Sequence, residues 1–218
     1  MISTILLNTE KLLADSGAEK KPADQYSHIR YPKLLPLMDF RITQYDLPGL
    51  GSCMMMHTTT KMGMELLTVS LMPGTGRQVP YFLMDCMSMK NKRCVFAEFY
   101  GCGNADLSHG DLDSVYERYN ALPDYAEKPG WYISEREPYS LIKAGAESDL
   151  VNMAKDCIGA YLLCARSASV SGDYISQLIA FRQRMIDEGN PSSKTLNMLF
   201  KKDGAVTFMK DVVMPICD

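Results

Sequence analysis

The sequence predicts an α+β fold in which helices cover an antiparallel sheet, and two changes of texture along the chain predict it. Between Phe40 and Tyr100 the apolar residues come in runs roughly five to nine long, rich in Met, Leu, Val, Thr and Phe. Pro48-Gly49, Lys61-Met62-Gly63, Pro73-Gly74-Thr75-Gly76 and Lys90-Asn91-Lys92 interrupt them. Hairpin-length breaks between such runs give four or five antiparallel strands. After Tyr100 the apolar spacing lengthens to the helical period. A block of strands followed by a block of helices, without alternation, is the pattern of an α+β sandwich.

In chain order, residues 1–36 form an N-terminal arm with three prolines, Pro22, Pro32 and Pro36. That suits a short helix and an extended lead-in that packs on the body late, if at all. Residues 40–100 are mostly strands. Residues 111–218 are mostly helices with one or two strands. Asp111 or Asp113 can cap a helix running to about Asn120, and Asp173 can cap another. Helical spacing continues over 146–168, 173–188, 193–200 and 205–214. No repeat or low-complexity tract appears, and 218 residues fit one domain, 1–218, with a sizeable core.

A formal charge of −3 and a pI near 5.7 leave no surplus of cations for a general nucleic-acid binder. The start, MISTILLNTEKLL, lacks a basic lead and a long apolar stretch, so neither a signal peptide nor a membrane span is expected. Seven cysteines, an odd number without a CxxC pair, read as reduced core residues of a cytoplasmic protein. Cys157 and Cys164, seven apart, share a helix face.

The motifs of common chemistries are mostly lacking. Gly101-Cys102-Gly103 follows a strand, but Asp106 stands where a dinucleotide fingerprint needs its third glycine. Asp106, His109, Asp111 and Asp113 crowd one loop, yet aspartates collect before helices as caps, so no metal is expected there. GxSxG, P-loop and HExxH motifs are missing, and His28, His57 and His109 have no local catalytic setting. Sixteen methionines, concentrated in the strand region, suit either an irregular core or a site for a large planar ligand.

Asp85 is the most informative residue. It lies within Tyr81-Phe82-Leu83-Met84-Asp85-Cys86-Met87, far from any other charge. Strand alternation puts it on one face with Leu83 and Met87, where it meets either a buried partner or a pocket. Desolvation there would favour the neutral carboxyl, the form that donates a proton near neutral pH.

Around Asp85 the chain resembles the ferredoxin-dependent bilin reductases. Met64-Glu-Leu-Leu-Thr-Val-Ser-Leu-Met-Pro73 followed by Val79-Pro80-Tyr-Phe-Leu-Met-Asp85 is similar to that family's central strand pair, an apolar strand ending in proline and then Leu-Pro-x-Phe-Gly-x-Asp. Trp131, the segment Glu137-Pro-Tyr139-Ser-Leu-Ile-Lys143, Tyr174, and the tail Lys194 to Phe200 followed by Val206 to Met214 are similar in order and spacing. Two positions that are ionisable in the family's proton relay fall on Thr68 (histidine) and Met56 (glutamate). His57 is adjacent to the second, on the opposite strand face unless a bulge shifts the register. Leu83 replaces the glycine before the aspartate.

The resemblance implies a three-layer α/β/α sandwich with a central antiparallel sheet, holding a linear tetrapyrrole such as biliverdin between the sheet and the C-terminal helices. It implies a two-electron reduction by single-electron, radical steps. Electrons come from reduced ferredoxin or flavodoxin, with no bound flavin or metal, and Asp85 is the proton donor. Thr68 would hydrogen-bond Asp85 or a pyrrole carbonyl. Met56, His57, Leu83 and Met87 would line the ligand, and Arg77, Arg136, Lys143 and Lys194 are the candidate cations for its propionates. An acidic ferredoxin needs a local basic patch, offered by Lys90, Lys92 and Arg93 or by Lys201, Lys202 and Lys210. Loss of the relay keeps two alternatives open, a tetrapyrrole-binding protein without catalysis and a reductase or oxidase of another tetrapyrrole.

Overall fold

The structure is a computed structural model of the chain, describing residues 1–90, 92–103, 107 and 109–216. Its centre is an eight-stranded antiparallel sheet. The strands are β1 (Glu19–Lys20), β2 (His28–Tyr31), β3 (Met38–Leu47), β4 (Gly51–Thr60), β5 (Glu65–Pro73), β6 (Tyr81–Met89), β7 (Lys92–Tyr100) and β8 (Leu141–Ala144). The order is β1-β3-β4-β5-β6-β7-β8, with β2 paired to the other end of β3. The four or five strands expected between Phe40 and Tyr100 are five, β3 to β7, each paired with the next.

Turn chemistry explains the hairpins. Gly63 closes β4 to β5 with φ of 76°, a conformation that costs glycine nothing and other residues a steric clash. Gly51 opens β4 where a Cβ would fall 2.0 Å from the Met72 carbonyl oxygen, so only glycine lets the two strand ends meet.

Helices lie on both faces, as the resemblance implies. On one face, α1 (Ile2–Asp15), α2 (Gly110–Tyr119) and α3 (Glu147–Ser167) cover Leu67, Val69, Phe82, Met84, Cys86 and Val95. The stripe Ile2, Ile5, Thr9 and Leu13 buries α1 completely along one side. The N-terminal arm is thus an integral part of the body: α1 fills a groove on the sheet, while β1 and β2 extend it. Prolines argued for a loose lead-in, but Pro22, Pro32 and Pro36 all fall between these elements. On the other face, α4 (Tyr174–Asp187) and α5 (Ser193–Phe208) cover Ile42, Met54, Met72, Tyr81 and Tyr100. A π-helical turn, Met209–Val213, continues α5.

The helix starting at Gly110 has Asp111 and Asp113 in its first turn and His109 at its cap position. Asp173 precedes α4 as expected, though without a side-chain capping bond. The two closing segments, 193–200 and 205–214, run together across a break at Lys201, whose φ is 59°. Five of the six described cysteines are buried, and all six are free thiols. Cys157 and Cys164 share the buried face of α3, and Cys217 lies outside the described residues. No helix among the described residues is long and apolar enough to cross a membrane.

Candidate functional site

The register of the sheet builds the site. Directly paired residues share a face, so one ladder row contains Ile42, Met56, Thr68, Asp85, Phe96 and Ile142. A cleft of about 280 Å³ opens over this row, floored by Met56, Thr68, Asp85, Met87 and Phe96. Its roof is Ser192, Leu196, Phe200 and Phe208 of the α5 layer. A smaller cavity of about 40 Å³ continues past Leu83, Tyr81 and Asn190 and shares Asp85 and Thr68 with the first. Phe208 is buried in stacking contact with Phe200, their ring centroids 4.8 Å apart, with Tyr26 set edge-on to both.

Among the described residues lining the cleft, Asp85 is the one with a charged side-chain type. Its Oδ1 accepts a hydrogen bond from the Thr68 hydroxyl at 2.5 Å. Burial raises the pKa of Asp85, and the Thr68 bond, which favours the anion, opposes that rise without cancelling it. A carboxyl so placed holds its proton more tightly than in water and can give it to a basic atom in the cleft.

The remaining candidates are distributed differently. Met56 and Met87 line the main cleft and Leu83 the smaller one. His57 pairs with Leu67, whose row passes under α3, so the regular ladder turns it to the opposite face without a bulge. None of the four candidate cations lines the cleft. The Arg77 guanidinium donates to the carbonyls of Ala165 and Ala168, at 2.7 and 3.2 Å, and closes the end of α3 beside a separate cavity. Arg136 is bound to Glu98 and Glu127. Lys143 sits in the His57 row on the α3 face, bonded to Asp124 and to the Asn120 carbonyl at 2.6 and 2.7 Å. Lys194 is exposed on the first turn of α5, between the cleft residues Ser192 and Thr195. The helices facing Asp85 are α4 and α5 alone, because α3, within the 146–214 block, lies behind the sheet.

In the acidic loop, Asp106 lies outside the described residues. His109 pairs with Asp113 at 2.7 Å and stacks on Tyr139, while Asp111 accepts from the Cys164 thiol at 3.8 Å. These partners are those of a helix start.

Glu98 was not singled out by the sequence reading, although it stands in Val95-Phe-Ala-Glu98-Phe-Tyr100 as anomalously as Asp85 stands in β6. It is 3 % exposed and accepts from Tyr100 Oη at 2.8 Å and Arg136 Nε at 2.7 Å. Burial is the main cause that raises its pKa to about 7, against the pull of Arg136. Arg136 reaches Glu98 through Nη2 as well, at 2.5 Å, but its single positive charge is shared with Glu127, which accepts from both terminal nitrogens at 2.5 and 2.7 Å. Tyr125 and Ser192 were likewise missed, since only tertiary packing brings loop residues to the cleft.

No protein-family model and no curated protein matches the sequence. Among solved structures, the chain is similar to phytochromobilin synthase from tomato in complex with biliverdin, with a TM-score of 0.78 and 12% sequence identity. The superposition covers 97% of this chain and 81% of the synthase. Over nearly its whole length, this chain has the fold of a ferredoxin-dependent bilin reductase.

Proposed function

We infer that the protein is a bilin reductase-like oxidoreductase that binds a linear tetrapyrrole in the cleft over Asp85 and reduces one of its double bonds. The observation that carries this reading is the carboxyl of Asp85, its pKa raised by burial, in an apolar cleft between the sheet and α5. The shared fold with a protein solved with biliverdin supports the ligand class. A flat apolar ligand gains from burial against Met56, Met87, Phe96 and Phe208, and a mostly apolar cleft with few polar groups is the usual form of such a site. The cleft lies just below the usual size range for ligand sites, so a tetrapyrrole would extend past its rim.

Two electrons, delivered singly by reduced ferredoxin or flavodoxin, and two protons convert the ligand to its dihydro form. Asp85 gives one proton and recovers it from solvent, and the second comes from water. Thr68 holds the carboxylate left behind by donating to Oδ1, but its hydroxyl does not relay protons as an imidazole would. No protein-bound flavin or metal enters this scheme.

Met56 and Thr68, neither ionisable, beside Asp85 favour a second reading, in which the protein holds a tetrapyrrole without reducing it. One anaerobic experiment separates the two. Biliverdin and reduced ferredoxin are added to the protein and absorbance spectra recorded. Reduction gives a time-dependent shift of the bilin band that needs both protein and ferredoxin. A bilin spectrum altered on binding and then static supports storage, and an unaltered spectrum removes the tetrapyrrole from both readings.

A further inference from the structure

A second carboxyl stands beside the first. Leu83 of β6 pairs with Glu98 of β7, and Asp85 pairs with Phe96, so Asp85 and Glu98 are diagonal neighbours on one face of the sheet. That relation puts their backbone positions about 7–8 Å apart, with side chains leaning into the same layer. Both lie on the face of the sheet covered by α4 and α5, Glu98 buried and Asp85 half-buried at the floor of the cleft.

The groups around Glu98 define its charge. From its own strand comes the Tyr100 hydroxyl, bonded at 2.8 Å. After the short helical turn at 131–135 comes Arg136, whose guanidinium also lies over the Tyr132 ring at 5.6 Å. From the preceding loop comes Glu127, which binds Arg136 bidentately. From β6 come Asp85 and Tyr81, and the Tyr81 phenol is raised first by burial and further by both carboxylates. One guanidinium therefore serves two carboxylates before Asp85 is counted. With Asp85 ionised too, this partly desolvated cluster would hold three negative charges against one positive, which is costly.

We propose that Asp85 and Glu98 act as a coupled carboxyl pair that shares one negative charge, so that Glu98 sets whether Asp85 holds a proton. Glu98 is a positioning residue acting through Asp85. No hydrogen-bonded chain joins the two in the described contacts, so it is assigned no relay. It takes over from the β7 side the electrostatic influence that Thr68 and Met56 cannot exert from β5 and β4. This role rests on Asp85 being the proton donor of the cleft.

Coupled sites lose their protons in two macroscopic steps that belong to the pair. The ligand-free protein is titrated by infrared spectroscopy of the protonated carboxyl stretch, as wild type, Glu98→Gln and Asp85→Asn. Glutamine keeps the shape of Glu98 and leaves Arg136 paired with Glu127. In each variant the remaining carboxyl should lose its proton about one pH unit below the upper wild-type step, the size expected for two charges at this separation near a protein surface. Bilin reduction by Glu98→Gln should show its alkaline limit displaced downward by a similar amount with KM unchanged. If either folded variant keeps the upper step at its wild-type pH, the carboxyls are independent and the proposal falls. Glu98→Met, which also leaves the Arg136–Glu127 pair intact, takes the place of Glu98→Gln if that variant does not fold. Absence of bilin turnover in wild type would sink the functional reading while the titration still decided the pair; turnover with an unmoved upper step would do the reverse.

Discussion

Two opposed influences meet on the Asp85 carboxyl, burial favouring its acid form and the Thr68 hydroxyl favouring its anion. Each can be removed separately. Asparagine at Asp85 keeps the shape and a hydrogen bond to Thr68 but carries no acidic proton, so Asp85→Asn should retain the fold and bilin binding and lose on the order of 10² to 10⁴ in turnover. Turnover near wild type in a folded Asp85→Asn protein would take Asp85 out of the mechanism. Thr68→Val, nearly isosteric, withdraws the donor that stabilises the anion, so the alkaline limit of activity should move to higher pH, opposite in sign to the Glu98→Gln effect. At this scale the sequence was legible where a residue was anomalous in its own neighbourhood, as Asp85 is in an apolar strand. Glu98 carried the same signal. Arg136 and Lys143 were not legible as structural cations, because their carboxylate partners are up to 38 residues away in the chain and meet them only in the folded protein.

Among the elements, the β6–β7 hairpin and the break in α5 each carry exposed lysines. Lys90 and Lys92 are exposed, while Arg93 is partly neutralised by Glu147 at 3.5 Å. Lys92 borders a shallow surface hollow with Tyr125, which also lines the cleft, so a redox partner docked on this hairpin would stand close to a bound ligand. Lys201 and Lys202 follow the roof residue Phe200 on α5. Charge reversal of Lys90 with Lys92, or of Lys201 with Lys202, should raise the KM for an acidic ferredoxin and leave the bilin dissociation constant unchanged. Unaltered ferredoxin kinetics in both double variants would assign docking elsewhere. Helical periodicity located both ends of α3 and α4 to within a residue and the start of α5, but it divided α5 between residues 200 and 205. It gave no side of the sheet, because an amphipathic helix shows only that one stripe is buried. In the structure the buried stripe of α3 packs on the Leu67 and Phe82 face and that of α4 on the Tyr81 face.

The whole molecule is a sheet with unequal covers, densely filled between α3 and the strands and hollow between α5 and the strands. Its sandwich architecture was readable from the order of strand and helix textures, and its α1 cover was not, since prolines downstream masked a well-formed apolar stripe. The lining of the hollow has a kinetic consequence. It holds no lysine, arginine or histidine among the described residues, and the chain's formal charge is −3. If the ligand is the proposed tetrapyrrole with two ionised propionates, it approaches a like-charged body whose cleft lining offers no cation. Its encounter is opposed at long range and driven at contact by transfer of apolar rings out of water. Stopped-flow association of biliverdin should accelerate as ionic strength rises from about 10 mM to 150 mM, where the Debye length contracts from roughly 30 Å to 8 Å. A rate that falls over that range would reveal a cationic gate at the rim, with Lys194 the first residue to replace.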